Sequence, residues 1–155
     1  MINLVDELQK AYNGDAWHGS NTLSLLEIAN AEKVFTHPIP NAHSIAELVL
    51  HLISWTEEVL DRINGETAKE PTRGDWPMPT EMSETGWDEI LNQFRSANQK
   101  LIKALDKFES LSWSNEVKDE RIPSLGSGVN NAKLINGLIQ HHAYHSGQIA
   151  LLLKF

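Results

Sequence analysis

The chain has 155 residues, no cysteine, and 21 acidic against 13 basic side chains, for a net charge of -8. That length fits one domain able to bury roughly 70% of its unfolded surface without cross-links. The missing thiol excludes disulfides and thiolate ligands, the acidic balance without a basic patch argues against a nucleic-acid partner, and no apolar run approaches the ~20 residues of a membrane span.

The amino terminus, Met1-Ile2-Asn3-Leu4-Val5-Asp6-Glu7, has neither the basic start nor the long apolar stretch of a secretion signal, so the expected location is cytoplasmic. Leu4, Leu8 and Ala11 predict a short first helix that stops near Asn13-Gly14, and Leu23, Leu26 and Ile28 a second helical piece. Pro38 and Pro40 end what precedes them. Ser44-Ile45-Ala46-Glu47 then has the form of a capping box, ahead of Leu48, Val49, Leu52, Trp55, Val59 and Ile63 on one long helix. Residues 66–86 contain Pro71, Gly74, Pro77 and Pro79, a stretch too proline-rich for a helix and too long for a tight connection; such loops are lids or crossovers.

Thr85 with Asp88 reads as the next cap, followed by Trp87, Ile90, Leu91, Phe94, Leu101, Leu105 and Phe108 at helical spacing. Residues 110–128, with Pro123, Gly126 and Gly128, read as a second loop, and a final helix runs from about Asn131 to the end. No alternating strand pattern persists in the helical regions. The expected fold class is all-α: a four-helix bundle with long crossover loops, one domain over residues 1–155.

The final helix holds three of the seven histidines within five residues, in Gln140-His141-His142-Ala143-Tyr144-His145-Ser146-Gly147-Gln148. Side chains four apart on a helix share a face, so His141 and His145 can converge on one ion. Leu134, Leu138, Ile149 and Leu152 lie on that face, with His142 about 100° away by helix geometry. His51, three residues after Leu48 and four before Trp55, lies at the edge of the apolar stripe of its own helix and is the best third ligand. Three histidines without an obvious fourth protein ligand match an open site that keeps a position for water or substrate. The absence of any Glu-x-x-His pair disfavours di-iron chemistry.

Two motifs, Ala42-His43-Ser44-Ile45-Ala46-Glu47-Leu48-Val49-Leu50-His51 and His141-His142-Ala143-Tyr144-His145-Ser146-Gly147-Gln148-Ile149, resemble the DinB-like superfamily of metal-binding bundles, which is unrelated to the DNA polymerase of similar name. Trp17-His18-Gly19 and Trp55 extend the resemblance over nearly the whole chain. It implies a metal triad of His51, His141 and His145, with His142 at a non-ligand position. It also implies zinc or nickel as the ion, and relatives that transfer low-molecular-weight thiols or isomerise maleylpyruvate with such a thiol.

Other residues carry weaker signals. Trp17, His18, Trp76, Trp87 and Trp113 could line a pocket above the metal, although core packing is the commoner fate of any one tryptophan. Glu47 is a base or a capping residue, Gln148 orients a ligand or joins two helices, and Gly147 permits close helix packing. His37 and His43 receive no role, and no residue is assigned as catalytic.

The functional expectation is a metal-dependent enzyme, a thiol-dependent transferase or a hydrolase, acting on an unidentified small molecule, with a low-molecular-weight thiol as possible cosubstrate. Its metal affinity is expected to fall below about pH 6, where histidines protonate. The alternative is a non-catalytic, metal-stabilised binding or stress-response module. A third reading is a homodimer pairing through helix faces.

Overall fold

A computed structural model describes residues 2–120 and 129–155. Five α-helices follow one another: α1 (Leu4–Asn13), α2 (Thr22–Glu27), α3 (Ile45–Ile63), α4 (Glu84–Leu105) and α5 (Asn131–Leu152), with a 3-10 turn at Ser112–Ser114 before α5. The described residues hold no strand, only the isolated bridges Ala16–Gly19 and Glu116–Asn130. The all-α expectation holds. Among the described residues no helix is long and apolar enough to cross a membrane.

Each helix starts where a short polar side chain can accept a free backbone N–H. Asn3, Asn21, Ser44, Ser83 and Asn130 cap the five in turn. At Ser44 the capping box is complete, with Glu47 N–H donating to Ser44 Oγ at 3.2 Å and Ser44 N–H donating to Glu47 Oε2 at 2.9 Å. For α4 the expected Thr85–Asp88 cap is corrected: Ser83 is the cap and Thr85 lies inside the first turn. A Ser and a Thr two residues apart offer rival caps, and the segment that precedes the helix decides between them. The Ser83 hydroxyl also bonds Glu81 in that segment. At the other end α4 stops at Leu105, so Phe108 packs from the following turn, 5.2 Å from the Trp113 ring. Of the second loop, Pro123, Gly126 and Gly128 lie outside the described residues.

The core falls into two layers stacked along the bundle. One contains Tyr12, Leu48, Leu52, Phe94 and Ile149; the other contains Leu8, Val59, Leu101, Ile135 and Leu138. Following each helix from layer to layer gives its direction. α3 and α4 run from the first layer to the second, whereas α1 and α5 run from the second to the first. Since α3 and α4 are parallel neighbours, the chain between them must return the full length of a helix, about 28 Å for nineteen residues at 1.5 Å each. The proline-rich segment is that crossover. It climbs back along α3: Lys69 N–H donates to Glu58 Oε1, the Ser54 hydroxyl donates to the Gly74 carbonyl, and the Asp75 carbonyl reaches His51.

α5 carries the centre of its buried stripe through Ile135, Leu138, His142, His145, Ile149 and Leu152. Gly147 is on the opposite, exposed side, and a Cβ added there would meet nothing within 4 Å. The expected role in close packing is therefore corrected; this glycine costs helix stability without a visible packing gain. Gly147→Ala should raise the unfolding free energy by about 0.5–1 kcal/mol in urea titrations, and a destabilised variant would restore a packing role.

Candidate metal centre

His51 projects from α3, and His141 and His145 from successive turns of α5, so the antiparallel α3–α5 pair alone assembles the three rings. His51 Nε2 and His145 Nε2 each lie 2.9 Å from His141 Nε2. All three ligand atoms fall within 4.8 Å of one another, the one such group of three among the described residues. His51 and His145 are buried and His141 is half-buried.

The outer nitrogens decide what the inner ones present. His51 Nδ1 is 2.6 Å from the Asp75 carbonyl, which can only accept, so Nδ1 carries the hydrogen and Nε2 presents a lone pair. His145 Nδ1 lies 2.7 Å from Gln148 Oε1, with the same consequence. A neutral His141 can give one Nε2 hydrogen to two such neighbours, which leaves lone pairs facing each other. A cation removes that conflict. With metal–nitrogen bonds of about 2.0–2.1 Å, tetrahedral nitrogen ligands sit about 3.3 Å apart, a few tenths of an ångström wider than here. The donor set fits a divalent ion.

Protonation is resisted as well. Burial, then the nearby charges of His145 and His51, push His141 down to about 4, against a smaller opposing pull from Asp75. Burial also lowers His145, opposed by its hydrogen bond to Gln148. Both shifts favour the unprotonated form of these two rings, the form in which an imidazole binds a metal.

Three neighbours hold the rings in place. Trp76 stacks on His51, with centroids 3.8 Å apart and planes 8° apart, stacks on His43 at 3.6 Å and 4°, and meets the His145 ring edge-on at 6.0 Å. Asp75 Oδ1 accepts from Trp55 Nε1 at 2.7 Å, fixing the residue whose carbonyl orients His51. The Thr22 and Ser146 hydroxyls lie 2.7 Å apart, tying α2 to α5 next to His145. Outer hydrogen-bond partners of this kind orient ligands and raise their basicity.

The other named residues separate. Glu47 serves the cap, and its carboxylate also takes His37 Nε2 at 3.0 Å and His43 Nδ1 at 3.3 Å. Burial raises its pKa, but the Ser44 N–H and the two imidazoles more than offset that, so it ends below the usual value. Trp17 and His18 are exposed, Trp87 is buried in the first core layer, and Trp113 packs near Phe108. Of the five aromatic candidates for the site, only Trp76 touches a member of the triad. Asp75 was not foreseen; nothing in its local sequence distinguishes it from other loop acids. His43 could have been suspected from its place one turn before Glu47.

A profile of the DinB superfamily matches residues 15–149. The chain belongs to the DinB superfamily. The chain is 29% identical over 80 residues to the uncharacterized protein YrdA of Bacillus subtilis (strain 168), a match covering 52% of this chain and 42% of that one. The chain thus spans less than half the length of that curated relative. A crystal structure of a DinB-like protein from Bacillus cereus ATCC 10987 superimposes with a TM-score of 0.66 at 19% identity, over 86% of this chain and 81% of that one. This likeness extends the DinB assignment to the fold.

Proposed function

We propose that this DinB-superfamily protein is a metal-dependent enzyme acting on a small molecule, of the thiol-dependent transferase or hydrolase type. His51, His141 and His145 hold a divalent ion, zinc or nickel. The observation that carries this reading is the position of the triad at the edge of a cavity of about 490 Å³, which His51 and His141 line together with Trp55, Val59, Leu134 and Leu138. Three histidines would leave a tetrahedral ion one position short, and the cavity beside His51 and His141 would give a further ligand room.

When bound, such an ion lowers the pKa of a coordinated water or thiol and so supplies a nucleophile near neutral pH. The protein's own groups do the rest. The Asp75 carbonyl and Gln148 keep two imidazoles in the tautomer that points Nε2 inward. Trp76 and the bundle shield His51 and His145 from water, while the apolar cavity walls take the body of a substrate. Asp75, half-exposed on the same cavity, is the carboxylate available to accept a proton.

Cobalt substitution tests the open position. Adding cysteine or 2-mercaptoethanol to the cobalt protein should produce a thiolate-to-cobalt band and shift the visible spectrum. A spectrum indifferent to thiols and small anions would mean a closed site, and would favour a binding module in which the ion ties α3 to α5.

A further inference from the structure

The same cavity is chemically polarised along its length. On α3 its lining residues are His51, Trp55, Val59 and Arg62, and on α5 they run from His141 back to Leu134 and Lys133. From His51 to Arg62 is eleven residues, about 16 Å along the helix axis. One end is the triad and the middle is apolar. The far end carries the two cations.

Those cations differ in their attachments. Arg62 lines the cavity although it is only 9% exposed, and its Nε pairs with Glu58 one turn earlier. Lys133 is exposed and makes no ion pair among the described residues. It sits in the first turn of α5, where the free backbone N–H groups add positive partial charge. Among the described residues Asp75 is the acid that lines this cavity, and it stands at the histidine end, where it repels a carboxylate entering the other way round.

We infer that the cavity takes a small organic acid with an apolar body, its carboxylate at Arg62 and Lys133 and its opposite end directed at the histidine triad. The inference rests on the metal reading only for what happens at that opposite end. Gly137, on the wall between the two ends, leaves the path open: a Cβ there would meet nothing within 4 Å.

The experiment uses the full-length protein stripped of metal, titrated calorimetrically with 4-phenylbutyrate and with its neutral counterpart 4-phenylbutan-1-ol. The acid should bind about tenfold or more tightly than the alcohol, the size of effect expected of charge-assisted hydrogen bonds. Lys133→Gln, at an exposed position, should remove much of that preference while leaving alcohol binding unchanged, and Arg62→Lys should weaken the acid further. Gly137→Leu should weaken both ligands by obstructing the apolar section.

Equal affinity for acid and alcohol, or no binding of either, overturns the inference. So does an acid preference that survives Lys133→Gln and disappears in His145→Ala, which would place the carboxylate at the histidines. Because these titrations contain no metal, an acid preference lost in Lys133→Gln stands even where the triad proves unable to hold zinc or nickel.

Discussion

His145→Ala should lose stoichiometric metal: tag-free wild-type protein incubated with zinc or nickel and desalted should retain about one ion per chain, and the variant almost none. Removing an outer partner typically costs 10–100-fold in metal affinity, and removing a ligand outright should cost more than that. Gln148→Leu supplies the comparison, since it frees His145 Nδ1 while leaving all three Nε2 atoms present. It should weaken binding within that range and keep the site. The pH dependence has a defined sign, because the ion competes with protons for the same lone pairs. Burial and its histidine neighbours push His141 down to about 4, and His145 is also lowered, so these two ligands resist protonation as the pH falls. Metal content should fall as the pH is lowered and be lost by about pH 4, where His141 takes up its proton. Metal content measured by plasma mass spectrometry across that range checks both statements. A wild-type protein without metal at pH 7 after zinc and nickel incubation would remove the metalloenzyme reading altogether.

Local signals carried the fold to the extent that local chemistry decides it. Ser44 with Glu47 marked the start of α3 because a capping box satisfies two backbone donors within four residues, and the start of α5 at Asn131 was similarly legible. The convergence of His141 with His145 follows from helix pitch. His51 was reachable from its place on the edge of an apolar stripe, once α3 and α5 were taken as neighbours. The crossover was legible in its length and prolines, but its path was not. That path follows from α3 and α4 running parallel, a tertiary fact with no local signature, and it brings Asp75 and Trp76 onto His51. For the same reason His43 carried no assigned role, because its link to His51 passes through a tryptophan from that crossover.

The rotation of α5 about its axis differs from the expected one. The reasoning that set His142 apart placed His141 and His145 on the apolar face, yet the buried stripe runs through His142 and His145, with His141 at its edge. His141 and His145 still converge, because residues four apart stay on adjacent turns of one face, with His141 toward the cavity and His145 toward the core. His142 instead occupies the interior with no exposure at all, its Nε2 3.3 Å from the Thr56 hydroxyl, its ring 5.9 Å from that of Phe94, and its Nδ1 without a partner.

The protonation state of His142 should therefore govern acid stability in the metal-free protein. Burial, then the charges of His141, His145 and His18, push it down to about 3 from an ordinary 6.5. Between those two values the unfolded chain binds a proton at this position and the folded chain does not. The stability associated with a neutral His142 is thus complete above pH 6.5 and declines as the pH falls toward 3, by about 1.4 kcal/mol per unit at the steepest. Over two units that is a sizeable part of the 5–15 kcal/mol typical of a domain. His142→Leu removes the titrating group and the orphaned Nδ1 together, and keeps an apolar side chain beside Phe94. Urea titrations in EDTA at pH 7 and pH 4.5 should show the wild type losing roughly 2–3 kcal/mol more than the variant over that interval. Equal losses would mean that water or a rearranged side chain solvates the imidazolium in the folded state, and that the acid sensitivity lies in the triad instead. The same substitution separates the two adjacent histidines by role: His142→Leu should leave metal content near one per chain, because its ring faces the core and not the cavity edge where the three Nε2 atoms meet.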